Sequence, residues 1–455
     1  MSVVDRSSSP RPLRSGPPAP VAWWNPRAWG QTFAALDNPA FARYFWGTFA
    51  FFFAMQAQML LRGYLVYDLT HDALSLGLIS VTFAAPTLLL APVAGVVADR
   101  VDRRQIIIVS QTIGLALTAL TTVLILAGAI AYWQLLAISL FSSSTMVFNM
   151  PARQAMVPAL VGRERLMNAI ALTSGSMNVC RIVAPAMGGL LVALIGVGGG
   201  YVVTMSFTVL AVLLFIGVPS PGAAERSRRS FLGDMLDGVV YLRENRLLLI
   251  LLVVGTTPML LAMPHQNLLP VFAVDVWDVG PVGLGLLQTL AGVGGLAGAA
   301  LAANLGGVRR QGRLMTASLV LFGTFITLFA LSPGFGPALV LILCSELCAM
   351  VGMTMNNTLI QTVIPDKMRG RVMSLMMMTF GITPLGTLPA GWIAREYGVR
   401  VAVAGGGVLL ILFSLALFFA SRTYRRLDRR DPFGAGDSIR PLPQAVPAGV
   451  DAAGD

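Results

Sequence analysis

Long apolar stretches dominate this sequence and limit what it can fold into. About 20 apolar residues in a helix can cross the hydrocarbon core of a bilayer. Only 12% of the residues are charged, against about 25% in soluble proteins. Twelve such stretches, apolar throughout rather than alternating as in barrel strands, lie at about 42–67, 74–98, 105–128, 131–150, 168–195, 198–218, 247–273, 281–303, 314–332, 335–357, 372–394 and 400–421. We therefore predict an all-α membrane protein with twelve transmembrane helices.

The cationic residues are unevenly divided between the two sides of the predicted membrane domain. All but four of the 32 Lys and Arg residues lie in the tails or in the loops after spans 2, 4, 6, 8 and 10. Basic loops stay on the cytoplasmic side, so we expect a multi-pass protein of a bacterial inner membrane with both termini in the cytoplasm. Because of this distribution, we interpret the net charge of +11 as basic residues that fix the orientation in the membrane and contact anionic lipids, rather than as a nucleic-acid-binding surface.

The two halves of the sequence resemble each other. Pro158 after span 4 and Pro365 after span 10 are 207 residues apart, and each precedes a cationic cluster and a new span. Two pseudo-symmetric bundles of six helices are a recurring transporter architecture. We predict such bundles at 41–218 and 247–421, a cytoplasmic linker with an interfacial helix at 219–246, and cytoplasmic tails at 1–40 and 422–455.

A compact loop of acidic and cationic residues follows span 2. Carboxylates can accept hydrogen bonds at a helix N-terminus, and guanidinium groups can bind carboxylates, lipid phosphates or the last carbonyls of a helix. Such a loop can fix the topology, or it can also act as a gate that latches the two halves together in the cytoplasm. The residues of this motif are Gly95, Asp99, Arg100, Asp102, Arg103 and Arg104.

This loop resembles the corresponding motif of the major facilitator superfamily, with Asp102 where that motif usually has its second Gly. The segments 35–47, 62–78 and 365–374 are similar to the branch that contains the bacterial macrolide and enterobactin exporters. The resemblance covers about 35–425. It implies the major facilitator fold, secondary transport by alternating access, and no cofactor.

Span 5 resembles the antiporter motif of the same superfamily. Its residues are Ala184, Pro185, Gly188 and Gly189, with Ala184 at the position where Gly usually precedes Pro. Small residues let helices approach closely and proline bends a helix. The alternative interpretation is therefore that these residues only allow close packing and a kink. The resemblance favours export. Span 4, taken as 131–150, lacks the buried Arg of many proton-coupled exporters, so proton coupling must use other residues or be absent.

Four basic or acidic side chains lie away from the ends of the predicted spans: Arg62, Arg181, His265 and Glu346. Such groups are costly in lipid unless paired or hydrated, which makes them candidates for proton coupling. Glu346, a carboxylate deep in span 10, is the predicted proton carrier because burial favours its neutral form and a nearby Arg its charged form. A structural ion pair is the alternative. Arg62 could also bind an anionic substrate, pair with Glu346 or reach the outer headgroups.

Methionine and polar residues on the predicted inner faces suggest a cavity for a large amphipathic molecule. Methionine is common at adaptable binding surfaces, although it also fills cores. The predicted lining residues are Phe52, Met55, Gln56, Met59, Asn178, Met259, Met263 and Gln288.

These features predict a secondary active transporter rather than an enzyme. The expected activity is proton-coupled efflux of an amphipathic drug, macrolide or siderophore, and the alternative is a lipid or lysolipid flippase or a facilitator without proton coupling. The expected partners are that small molecule, protons and membrane lipids, and the chain is expected to be a monomer. Cys344 and Cys348 lie one turn apart without further ligands, so no metal site is predicted. The sequence also lacks the phosphate-binding loop of an ATP-driven pump.

Overall fold

The computed structural model describes residues 33–162, 164–220, 240–305, 310–365, 368, 372, 376 and 379–425. Over these residues the chain folds into long helices that pack side by side. Most of the two predicted tails and most of the predicted linker lie outside the described residues. Residues 240–244 of that linker are helical.

The first half contains five helices. They are α1 (Pro39–Thr70), α2 (Ala73–Arg100), α3 (Arg103–Leu126), α4 (Tyr132–Leu160) and α5 (Leu166–Ile216), with a short 3-10 helix (Ala34–Asp37) before them. Asn38, Asp72 and Asp102 begin α1, α2 and α3, because each side chain accepts a hydrogen bond from a free backbone N–H of the first turn. The predicted spans 5 and 6 are two helices that follow each other without a loop. The backbone between them leaves the helical region at Gly196, where φ is +73°, and we number both helices together as α5. We refer to the segments before and after Gly196 as the first and second arms of α5.

Among the described residues from Arg246 onward, the structure assigns seven longer helices and three short elements. The helices are α6 (Arg246–Leu261), α7 (His265–Val271), α8 (Gly280–Leu305), α9 (Gln311–Ala330), α10 (Phe335–Val363), α11 (Pro384–Tyr397) and α12 (Val399–Ala420). The short elements are a π-helical turn (Phe272–Val276), a 3-10 helix (Thr379–Ile382) and a last turn (Arg422–Arg425).

The seventh predicted span is broken rather than continuous. α6 ends at Leu261 and α7 begins at His265, with Pro264 between them. Proline lacks the N–H that would continue the ladder of helical hydrogen bonds. The break places His265 at the start of a new helix.

Among the described residues, ten helices are long and apolar enough to cross a membrane. The number is below the twelve predicted spans for two reasons. Spans 5 and 6 are joined in α5, and α11, the described helix of span 11, has only 14 residues. The remainder of span 11, within 366–378, lies mostly outside the described residues.

The hydrophobic cores differ between the two ends of the helical bundle. We call the end where α1 begins and α12 ends the terminal end, and the opposite end the distal end. The distal core contains residues of both halves, including Leu65, Phe272 and Leu284, and each of these is at most 4% exposed. At the terminal end each half has a separate core, one around Phe41 and the other around Leu248. The described parts of the two halves therefore pack together at the distal end.

Candidate functional site

Glycine backbones bring the two halves into contact where α8 crosses the first arm of α5. A Cβ atom on Gly189 would lie 2.4 Å from the carbonyl oxygen of Pro281, and one on Gly285 would lie 2.8 Å from that of Pro185. Both distances are too short for any side chain, so the backbones of the two helices touch. The hydroxyl of Thr289 adds a hydrogen bond of 3.1 Å across the same crossing.

The motif that resembles an antiporter motif therefore has two packing surfaces. Ala184 is fully buried, and a Cβ on Gly188 would lie 3.6 Å from Leu60, so these residues face α1 within the first half. Gly189 and the carbonyl of Pro185 face α8 in the second half. A role of this motif in export stays a prediction.

A second close contact joins α2 and α11 near the distal end. A Cβ on Gly77 would lie 2.9 Å from the carbonyl oxygen of Thr387, and one on Gly391 would lie 3.0 Å from that of Ala73. The hydroxyls of Ser80 and Thr387 also bond to each other.

Polar contacts reinforce this distal seal. Arg395 Nη1 lies 3.9 Å from Asp72 Oδ2, and the Tyr67 hydroxyl donates to Asp275. Each of these contacts joins the first half to the second half. The described inter-half contacts thus close the distal end.

Glu346 lies in a buried cluster at the boundary between the two halves. Gln266 Nε2 donates to Glu346 Oε1 at 2.9 Å, and His265 Nε2 lies 3.3 Å from the same oxygen. Arg181 Nη2, from α5, lies 3.9 Å from Glu346 Oε2. Three of the four predicted coupling residues therefore meet, and the cluster includes one cation from the first half.

One hydrogen bond of His265 shows which of its two ring nitrogens carries a hydrogen. Its Nδ1 lies 2.8 Å from the carbonyl oxygen of Ala262, which can only accept, so Nδ1 carries a hydrogen. In a neutral imidazole Nε2 then has only a lone pair, and this lone pair faces Glu346. Facing acceptors repel each other unless a proton lies on one of them.

The members of this cluster differ in their access to solvent. The side chains of His265 and Glu346 are 0% and 1% exposed, whereas that of Arg181 is 36% exposed. Arg181 packs over α8 at Gly295, where an added Cβ would lie 3.6 Å from its guanidinium group. Arg181 is thus the accessible charged member of the cluster.

Arg62 lies apart from this cluster. Its Nη1 donates to Ser139 Oγ at 3.4 Å, across the contact between α1 and α4. The suggested pairing of Arg62 with Glu346 is not what the structure shows, because helix packing places Arg181 and His265 beside that carboxylate instead.

A further buried cation, Arg153, lies beyond residue 150, the predicted end of span 4. The expectation of an uncharged span 4 is wrong, because α4 continues past 150 to Leu160 and buries Arg153, which is 2% exposed. The guanidinium group donates to Asn149 and Thr48 and lies 4.0 Å from the ring centre of Phe51. Asn149 and Arg153 are four residues apart, a spacing that places them on one face of a continuing helix. Pro151 and Pro158 instead suggested that the helix ends earlier.

The predicted cavity residues differ in how much of each side chain is buried. Phe52 is 4% exposed and packs within the first half, and Met263 packs against the distal core, so both contribute to packing in this conformation. Met59 is 51% exposed. The half-buried remainder is Met55, Gln56, Asn178, Met259 and Gln288.

The described side chains of the predicted gate motif bind within the first half. Arg103 donates to the carbonyl of Ala155, and Arg104 donates to that of Ile216 at the end of α5. Asp102 caps α3. Arg100 is exposed. Gly95 and Asp99 lie in the last turns of α2, but the Asp99 side chain is outside the described part of the structure, and the latch stays a prediction.

The family described as Transmembrane secretion effector matches residues 30–432. The chain belongs to this family. Its curated relatives include macrolide efflux protein A of Streptococcus pyogenes, 26% identical over 356 residues that cover 76% of this chain and 87% of that protein. Another is the enterobactin exporter EntS of Shigella boydii, 28% identical over 371 residues that cover 77% of this chain and 86% of the exporter.

Solved structures support the fold of this family member. One is a bacterial homologue of the human lysosomal transporter Spinster, with a TM-score of 0.66 and 15% identity over 89% of this chain and 99% of that chain. The nucleoside transporter NupG matches with a TM-score of 0.63 and 14% identity over 86% of this chain and 99% of that chain. The predicted major facilitator fold, and the resemblance to the macrolide and enterobactin exporter branch, are confirmed. This family member is a multi-pass membrane protein of the transporter class.

Proposed function

We propose that this protein exports an amphipathic small molecule across a bacterial inner membrane in exchange for protons. The two halves would rock about the substrate so that the distal and terminal ends open alternately. The observation that carries the proposal is the Arg181–Glu346–His265 cluster, which combines a proton site with an ion pair between the halves.

The pair of His265 and Glu346 is suited to hold one proton. With Nδ1 of His265 committed to a carbonyl, the short distance from Nε2 to Glu346 is favourable only when one proton lies on either group. Both side chains are buried, so a state in which the pair holds two protons and carries a net positive charge would be costly. The pair can therefore load and release one proton as a unit.

Movement of the halves would change how strongly the pair of His265 and Glu346 binds its proton. With the distal end closed, the Arg181 guanidinium stabilises the ionised carboxylate of Glu346, which favours proton release. If the halves separate at the distal end, Arg181 withdraws with the first half, and the buried acid is favoured in its neutral form. Proton uptake then occurs in the distal-open state and release in the distal-closed state.

The direction of transport follows from the topology. The basic loops support cytoplasmic termini, so the distal end would face the outside. Protons would then move inward through the cycle, and an exchanged substrate would move outward. The curated relatives, a macrolide efflux protein and an enterobactin exporter, are consistent with this direction.

The substrate class rests on the residues between the halves. Met55 and Met59 offer adaptable apolar contacts, and Asn178 and Gln288 offer hydrogen bonds. This mixture suits a molecule with both apolar and polar parts.

The decisive experiment measures substrate accumulation in inside-out vesicles or proteoliposomes, with and without a proton gradient. We expect Glu346→Gln to abolish gradient-driven accumulation while substrate exchange at zero gradient continues, because the pair can no longer release its proton. Glu396→Gln is the matched control, since Glu396 is half exposed at the distal end and lies outside the cluster.

If Glu346→Gln accumulated substrate as well as the parent protein does, Glu346 would not be the proton carrier. Equal transport with and without the gradient in the parent protein would instead favour a flippase or a facilitator without proton coupling.

A further inference from the structure

Arg62 is a membrane-embedded cation without a carboxylate partner among the described residues. Over the same described residues, its guanidinium group makes one hydrogen bond, the 3.4 Å contact with Ser139 on α4. The side chain sits eight residues before the end of α1, so it lies well inside the helix. A cation in the membrane is costly unless it is paired or hydrated.

The repeat between the two halves shows what is missing near Arg62. The helices α4 and α10 each have 29 residues and correspond in the two halves, and Ser139 and Glu346 lie one helical turn apart in their register. In the second half this face of the helix carries Glu346, a carboxylate with basic partners. In the first half the basic partner is present, but a hydroxyl replaces the acid.

The position of Arg62 on α1 places it beside the space between the halves. Gly63 contacts the second half, because an added Cβ would lie 3.5 Å from Pro270. Met59, one turn earlier on the same face as Gly63, is 51% exposed, so the second half leaves this part of the face uncovered. Arg62 follows Met55 and Met59 at helical spacing and borders that space.

We propose that Arg62 binds an acidic group of the transported molecule, so that the substrate supplies the carboxylate that the first half lacks. The substrate class is then an amphipathic anion, held by its apolar body on the methionines and by its acidic oxygens on Arg62. A guanidinium group pairs well with such oxygens. This inference rests on the proposed transport function and specifies the substrate of the same site.

The test compares three probes that share one apolar body: 1-pyrenebutanoate, its methyl ester and 1-pyrenebutylamine. Binding of each probe is measured by fluorescence with the full-length protein in nanodiscs, and empty nanodiscs correct for partition into lipid. We expect the anion to bind about tenfold more tightly than the ester, since a hydrogen-bonded charge pair is lost in the ester.

Variants then assign this preference to Arg62. Arg62→Gln is expected to weaken binding of the anion about tenfold and to leave the ester within twofold, while Arg62→Lys keeps the order of the probes. Ser139→Asp should imitate Arg62→Gln, because the new carboxylate occupies the guanidinium group. Ser139→Asn is the uncharged counterpart. Arg43→Gln serves as the control arginine, since Arg43 bonds to the Gly217 carbonyl at the terminal end.

The outcomes separate this inference from the proposed function. If the ester or the amine binds and is transported, and Arg62→Gln changes all three probes equally or not at all, the anion site is wrong while transport of amphipathic molecules stands. If no probe binds and none is transported, the amphipathic substrate class fails, and the anion site fails with it.

Discussion

The distal end of the molecule is closed by glycine and backbone contacts between the halves, whereas the described terminal end is held by arginine contacts within a half. At the distal end Gly77, Gly189 and Gly285 let helices of opposite halves touch. At the terminal end Arg43 and Arg104 donate to the last carbonyls of α5, in their own half.

This difference suggests how each end serves a moving protein. Flat backbone contacts involve no interlocked side chains and can separate as a unit. Arginines that bind a helix end satisfy carbonyls that would otherwise lack partners, and here they link helices of the first half without joining that half to the second. In the proposed cycle the distal contact would therefore separate while the first half keeps its shape.

The largest expected effect comes from locking the distal end. In a variant whose three native cysteines are replaced by alanine, Ser80→Cys with Thr387→Cys should form a disulfide, because the two hydroxyls already bond to each other. Transport should fall to background and recover after reduction. Both single-cysteine variants serve as controls. Full transport with the disulfide intact would show that the distal end need not open.

A smaller effect is expected from widening the α5–α8 crossing. Gly189→Ala places a methyl group 2.4 Å from a backbone oxygen, so the closed distal end should lose about 1–3 kcal/mol of stability. Spin labels at the exposed positions Trp133 and Leu331 would report a longer distance across the distal end. Gly175→Ala on the same helix has free space around it and should leave the distance unchanged.

If Gly189→Ala left the spin-label distance unchanged, the glycine contact would not determine the closure of the distal end. The comparison between the two ends would then have to rest on the polar contacts alone.

The smallest effect is expected from the distal ion pair. Arg395 and Asp72 are 55% and 26% exposed, and exposed pairs contribute about 0–1 kcal/mol. Arg395→Gln should therefore change the distal-open population less than fivefold in the same spin-label measurement. A change as large as that of Gly189→Ala would show that the ion pair, rather than the backbone contact at the glycines, keeps the distal end closed.

Much of the fold could be predicted from the sequence because membrane insertion is a local property. A segment of about 20 apolar residues is favourable in lipid wherever it occurs in the chain, so most span ends were found within a few residues. The exceptions include α10, which ends six residues later than predicted, and α4, which ends ten residues later. The larger error is at prolines. Pro151 and Pro158 do not end α4, since a membrane helix tolerates proline when its neighbours satisfy the backbone. Arg153 was missed for this reason.

The candidate site could be predicted only in part. The cost of a charge in lipid identified Arg62, Arg181, His265 and Glu346 one by one. Their grouping was beyond the sequence, because α5, α7 and α10 bring together residues that are 80 or more positions apart. Arg62 and Arg181 looked equivalent along the chain, yet only Arg181 meets the carboxylate.

The sequence alone determined that this chain spans a membrane many times, because that property follows from the transfer free energy of single segments. Two related halves and basic loops on one side stay predictions, which rest on the repeated spacing of prolines and on the charges beside the segments. The tertiary structure alone decided which ionisable groups meet and which end of the molecule is closed. Both depend on how helices of opposite halves pack, and alternative packings of the same helices differ by only a few kcal/mol, which the sequence pattern does not resolve.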